Sequence, residues 1–298
     1  MNAPLLSRRD WLSTSSAFLA ASVLGVRPGH GSTATADDLV LNAKGGYLFL
    51  PVVPFLSYGA LAADGFEIVR TTFRRPRPFS DGIGDIERFL VALGRPIQAL
   101  CGLELRSQRQ PAPAEFMAFN RSYVARLGQA GLLVDGQVPL TRTNVASAGV
   151  QEDSIHAFCY TAPITSGDRG ASPTFILSAV PEIRNLKNVV LVGETPDFVA
   201  SAETDAAGIT TMAGLRLKTE FILTTLDGIM RTMKVDWADV TGVQLYTVRD
   251  VQPLLADLIL PRIGSASRFG IEWHHTYPPN VLNILEIGIR GTRLETVL

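Results

Sequence analysis

Along most of the chain, apolar and polar residues alternate in short blocks, switching between a period of two and a period near 3.6. This pattern predicts strands and helices in a repeating order. After Asp37 comes an apolar run, Tyr47–Leu50, and an alternating segment from Phe66 to Phe73. Ile86, Phe89, Leu90 and Leu93 then fall on one helical face, and LCGLEL (100–105) reads as a strand. A second helix from about Ala114 aligns Phe116, Phe119, Tyr123 and Leu127; strands follow near Thr143–Val145 and Ile155–Tyr160. The order then recurs. Thr174–Val180 and Asn188–Gly193 read as strands, and Ile222, Leu226, Ile229, Met230 and Met233 mark the clearest helix. Val243–Tyr246 is a strand, 253–260 a looser Pro/Leu-rich stretch, and the last strands pass through Ile271 and through Ile284–Ile289.

The expected architecture is therefore α+β: two tandem domains, each β-β-α-β-α-β-β, with helices on one face of a mixed sheet. Residues 37–162 form the first and 174–298 the second. Between them, 163–173 is rich in Ser, Gly, Pro and Ala and reads as a linker. A sheet covered on one side leaves its other face for association. Two halves in one chain can meet part of that need internally.

The first 36 residues carry a different pattern. Ser7-Arg8-Arg9-Asp10-Trp11-Leu12 is a twin-arginine sequence, followed by a short apolar stretch, Ala17–Val26, and a small-x-small site, Ala34-Thr35-Ala36. Together they predict a cleaved export signal and a periplasmic mature protein beginning near Asp37. The apolar stretch is too short for a stable membrane span.

Composition narrows the chemistry. Of 298 residues 46% are hydrophobic and 18% charged, enough for packed cores, and the net charge of -1 gives no reason to expect a nucleic-acid partner. Four histidines and two cysteines, without CxxC or HExxH, give no metal site. His274 and His275 are adjacent, so on a strand they point to opposite faces. Cys101 and Cys159 sit in apolar runs, as buried free thiols usually do, although export makes a disulfide chemically possible. Without GxGxxG, P-loop, GxSxG or SxxK in a suitable setting, no cofactor is expected.

Several short motifs resemble those of the Rid (YjgF/L-PSP) family, whose fold is also called chorismate-mutase-like. Phe116-x-x-Phe119-Asn120-x-x-Tyr123 resembles its helix motif, and Leu140-Thr141-Arg142-Thr143-x-Val145 its arginine strand. Ser267-Arg268-Phe269 sits where the second half should repeat that strand, and Leu285-Glu286-Ile287 resembles the closing strand with its acid. The resemblance implies that Arg142 and Arg268 bind a substrate carboxylate, that Asn120 orients substrate or water, and that Glu286 activates water. It also implies a homo-oligomer joined through sheet faces, a trimer foremost. The first half has Ser154 and His156 where the family carries acids, which makes His156 a second catalytic candidate. Each residue has a plainer reading: Arg142 and Arg268 as surface pairs, Glu286 facing solvent, His156 as a core histidine, Asn120 as helix packing.

The implied activity is a cofactor-independent hydrolase or deaminase acting on a small carboxylated imine or enamine. Two alternatives are a chorismatase-like enol-ether hydrolase and a non-catalytic periplasmic binding or assembly protein.

Overall fold

A computed structural model describes residues 38–147, 149–164, 172–187, 211–279 and 283–298. The expected export signal, most of the expected linker and the strand expected at 188–193 lie outside these residues. The elements are β1 (Val40–Asn42), β2 (Tyr47–Val53), β3 (Leu56–Ala62), β4 (Phe66–Pro78), α1 (Phe79–Ala92), β5 (Leu100–Ser107), α2 (Pro113–Gln129), β6 (Thr141–Ala146) and β7 (Ser154–Pro163). The chain continues with β8 (Phe175–Leu177), β9 (Val180–Pro181), α3 (Met212–Met233), β10 (Gly242–Tyr246), short helical turns between Gln252 and Phe269, β11 (Glu272–His274), β12 (Glu286–Gly291) and β13 (Leu294–Val297).

Two mixed sheets result, the first ordered β13-β4-β7-β5-β6 and the second β1-β2-β3-β8-β12-β10-β11 with β9 also on β12. Within them the same plan occurs twice, because β4-β7-β5-β6 matches β8-β12-β10-β11 strand for strand. In both, the last pair is parallel and the others are antiparallel. The helix after the first strand of each plan also matches, α1 to α3. The place of α2 is taken in the second copy by the turns at 252–269, where Pro253 and Pro261 interrupt regular helix.

The sheets do not follow the sequence halves. β1–β3 extend the second sheet, with Ala60 opposite Ile176, while β13 returns to the first sheet and pairs in parallel with β4. Each sheet keeps its helices on one side. Ile86 and Leu90 of α1 and Tyr123 and Leu127 of α2 pack on Leu103, Leu105 and Phe158, while Ile222, Leu226 and Met230 of α3 pack on Val243, Leu245, Ile287 and Ile289.

The other faces of the sheets meet each other. At one end the layer between them is apolar, built from Tyr47, Phe49, Ala60, Ile68, Cys101, Cys159 and Ile176. A Cβ on Gly102 would come within 2.5 Å of Ile176 Cδ1, so glycine permits this close approach. The faces expected to recruit other copies are thus covered within the chain, which removes the open-face reason for a trimer. Both cysteines are buried free thiols in this layer, and burial pushes Cys159 up to about 12.

Farther along, the layer is charged. Arg70 grips Glu104 through Nε and Nη2 (2.6 and 2.9 Å) and reaches Glu295 at 3.2 Å; Arg290 Nε lies 2.6 Å from Glu295, and Arg290 also pairs with Glu272. Burial alone would raise Glu104, but Arg70's hydrogen bonds and charge, with Arg106, hold it at about 2. No described helix is long and apolar enough to cross a membrane.

Candidate functional site

The candidate site forms where β6, the edge of the five-stranded sheet, runs beside the other sheet. Ser57 N donates to Leu140 O (3.0 Å), Arg142 N to Ser178 Oγ (2.9 Å), and Ala146 N to Tyr277 O (2.9 Å). These bonds fix the β6 backbone against segments of both sequence halves. In β6, Arg142 pairs in register with Leu103, whose side chain faces the helices, so the guanidinium enters the space beneath α2.

Arg142 is 4% exposed and surrounded by rings, with its Cζ 4.8 Å from the Tyr123 centroid, 5.1 Å from Phe55, 5.7 Å from Phe119 and 5.8 Å from Phe116. The ring faces favour a cation, yet no carboxylate among the described residues forms an ion pair with it, and Nη1 lacks an acceptor. Burial lowers it to about 10, against the opposing pull of Tyr123 and Glu286, so it stays charged at neutral pH. A dry cation with unmet donors is suited to binding an anion. Helix α2 supplies the wall through its Phe116/Phe119/Tyr123 stripe. Its first turn is held by Glu115, whose carboxylate accepts from Ala112 N at 2.8 Å.

Glu286 opens β12, opposite Pro181 of β9 and Tyr246 of β10, and is 4% exposed. Its Oε1 accepts from Asn283 Nδ2 at 3.3 Å. Burial raises the carboxyl well above the carboxylate range and neighbouring Glu182 adds to this, while Asn283 and Arg142 oppose it. The balance of these influences favours the protonated form of Glu286. Electrostatic interaction between Arg142 and Glu286 modifies the titration of both, so the cation and the acid expected from sequence share one enclosed environment.

Asn120 joins them on α2, one turn before Tyr123. It is 1% exposed, and its Oδ1 has no hydrogen-bond partner. The Tyr123 hydroxyl and Asn283 Oδ1 are likewise buried and unpaired. Unmet polar atoms inside a protein are costly, so their grouping here marks the candidate site.

Two sequence candidates lie elsewhere. Arg268 is exposed, in a helical turn (Gly264–Phe269) rather than on a strand, stacked on Phe269 at 4.7 Å. Positive φ at Gly264 and Gly270 brackets the turn, and β11 starts only at Glu272, so the arginine strand of the first half has no counterpart at Arg268. His156 belongs to the charged inter-sheet layer: burial and the Arg106 charge lower it to about 4, so it is neutral. Its electrostatic neighbours are Arg106, Glu104, Arg70 and His274, with Arg142 and Glu286 not among them. Of the histidine pair, His274 turns inward and stacks on Tyr246 at 4.8 Å, while His275 is exposed.

Sequence reasoning missed Glu182 and Lys218. Both side chains are fully buried, with Lys218 Nζ 3.7 Å from Glu182 Oε1. A signal existed for Lys218. It stands three residues after Leu215 and four before Ile222, so it falls on the apolar stripe of α3. An open cleft of about 290 Å³ lined by Ser107, Arg109, Glu115, Asn144 and Asp153 shares Phe119 with the Arg142 cage, although neither Arg142 nor Glu286 lines it. The described residues contain no cluster suited to a metal ion.

Fold and site together define an α+β protein of two facing sheets, with an arginine and a carboxyl buried in one environment. Comparison with known proteins makes the class specific. The chain belongs to the 2-aminomuconate deaminase CnbZ family, whose model matches residues 39–296. A 2-amino-5-chloromuconate deaminase from Comamonas testosteroni is 34% identical over 265 residues, covering 88% of this chain and 99% of that protein. Among solved structures, a chorismatase aligns over 90% of this chain and 96% of its own at 13% identity, with a TM-score of 0.38. A cyanuric acid hydrolase aligns over 78% and 69% at 11% identity, with a TM-score of 0.36. Likenesses this loose carry no argument about chemistry.

Proposed function

We propose that the chain deaminates an enamine dicarboxylate of the 2-aminomuconate type by hydrolysis, without a cofactor. The observation that carries this is the pairing of Arg142, a buried guanidinium that no carboxylate among the described residues binds, with Glu286, a carboxyl whose burial favours its protonated form. Family membership and the chlorinated-substrate relative support the substrate class.

The chemistry follows from these two groups. Arg142 takes the carboxylate next to the amino-bearing carbon, and the surrounding rings suit a flat conjugated chain. Glu286 gives its proton to a chain carbon, turning the enamine into an iminium whose C=N carbon is electrophilic. The resulting Glu286 carboxylate removes a proton from water as the oxygen adds to that carbon. The proton then passes to nitrogen, the C–N bond breaks, and the hydroxyl proton returns to Glu286. Substrate and water become a 2-oxo acid and ammonia, and Glu286 is restored. A second arginine, Arg249, has a buried Nε without an acceptor and follows Thr247, whose hydroxyl bonds Ile284 O at 2.7 Å. It is available for the distal carboxylate.

The test is ammonia release from 2-aminomuconate by purified residues 37–298, alongside Glu286→Gln. Turnover should fall by about 10² or more in that variant, the usual contribution of a positioned acid–base group. Wild-type protein that releases no ammonia above the uncatalysed rate, while still binding the substrate in a thermal-shift assay, would make it a binder instead.

A further inference from the structure

Behind Glu286 lies a second acid that the mechanism above leaves unused. Glu182 directly follows Pro181, the β9 residue opposite Glu286, and is completely buried. Its Oε1 accepts from Ile284 N at 2.8 Å and faces Lys218 Nζ at 3.7 Å, while Oε2 has no hydrogen-bond partner. The carboxyl is therefore fixed to the turn, 283–286, that carries Glu286. Lys218 comes from α3, across the core of the second sheet.

We propose that Glu182, gripped by Lys218, is a positioning residue that keeps Glu286 in its acid form between turnovers. The inference rests on the deaminase reading for its kinetic consequence but not for its physical content. Two carboxyls and one ammonium enclosed together favour a state with a single negative charge. Burial raises Glu182 as well, but Lys218 and the Ile284 amide draw it back, so the charge is placed on Glu182 and the proton on Glu286, where the substrate needs it.

The groups facing Glu286 account for the balance. Arg142 from β6 and Asn283 from its own turn favour the ionised form, and Glu182 from the β9 segment disfavours it. Tyr246 from β10 is its register partner and remains neutral, raised by burial. Lys218 acts through Glu182, with exposed Arg184 on its far side. The repulsion from Glu182 exceeds what Arg142 and Asn283 offset separately, since it is the largest influence after burial itself.

The experiment compares wild type, Glu182→Gln, Glu182→Asp and Lys218→Met in two readouts. In the pH profile of kcat, Glu182→Gln removes a like charge beside Glu286 and should move the basic limb down by about one pH unit or more. KM should change less than about twofold, because substrate binding at Arg142 is untouched. Glu182→Asp should titrate close to wild type, and Lys218→Met, which lets Glu182 compete for the shared proton, should move the limb the same way as Glu182→Gln. The second readout needs no substrate: isotope-edited infrared spectra of the free protein follow the protonated carboxyl band that Glu286→Gln abolishes. That band should titrate at lower pH in Glu182→Gln. If it titrates as in wild type in Glu182→Gln, the proposal is overturned. A shifted band in a protein that deaminates nothing would support the relay and refute the deaminase reading. If Glu182→Gln does not fold, Lys218→Met carries the comparison, and an unshifted limb and band there overturn the idea equally.

Discussion

Replacing Arg142 with methionine separates catalytic from structural roles, because the two predict opposite changes in stability. Burial lowers the guanidinium to about 10. At about 1.4 kcal/mol per pH unit, this corresponds to roughly 3 kcal/mol of unfavourable charging. The sign follows from the direction of the shift. A base with a lowered folded-state pKa destabilises the fold wherever it is charged in both states, and the penalty is relieved only as the pH rises through about 10. At neutral pH the full penalty applies. Ring contacts return part of it, at about 0.5–2 kcal/mol per cation–π pair. Methionine is unbranched, fills the same space and makes its own sulfur–ring contacts. Arg142→Met should thus melt at or above the wild-type temperature, by roughly 2–4 °C for each kcal/mol gained in a chain this size. Meanwhile kcat/KM should fall by about 10² to 10³, since a lost charge-assisted carboxylate contact costs about 3–4 kcal/mol. Differential scanning calorimetry and the ammonia assay read the two effects on one preparation. A variant that melts well below wild type and keeps its kcat/KM within threefold would show that Arg142 is a structural cation, and the reasoning would fail.

Arg268→Ala, on an exposed turn away from the cage, should leave kcat/KM within about twofold in the same assay. Glu104 is held at about 2 by Arg70 and Arg106 despite its burial. Its contribution is fully present above the ordinary carboxylate range near pH 4.5 and is lost as the pH falls toward 2, so urea midpoints should decline across that window more steeply in wild type than in Glu104→Gln. We propose export by the twin-arginine route: residues 1–36 fused to a folded reporter should deliver it to the periplasm, and Arg8→Lys with Arg9→Lys should leave it inside. Periodate-free osmotic-shock fractionation of the reporter reads the outcome.

Much of the candidate site was legible in the sequence because its residues interrupt a regular pattern. Arg142 and Glu286 are charges set within strand-forming runs, and Asn120 precedes Tyr123 on an aromatic helix stripe. The motif likeness to Rid proteins pointed toward imine and enamine hydrolysis, and the family the chain belongs to is one of deaminases. Arg268 misled because its motif likeness was not backed by strand propensity: Gly264 and Gly270 turn the chain on either side of it. His156 was correctly placed on a strand, but which network a strand residue joins depends on how two sheets face each other, and local periodicity does not encode that. The same limit hid Glu182, and it hid the strand exchange. β13 lacks alternation because all its residues are exposed, so nothing in LETV marked a strand that pairs over two hundred positions upstream.

That last pairing has a bearing on how the chain is made. The first sheet lacks its outer strand until Leu294–Val297 has been synthesised, and the second is begun by residues 40–62 long before its middle strands exist. Each sheet draws strands from both halves, so neither half is a self-sufficient unit to express alone. Folding of the first sheet must wait until Leu294–Val297 has emerged, long after its other strands.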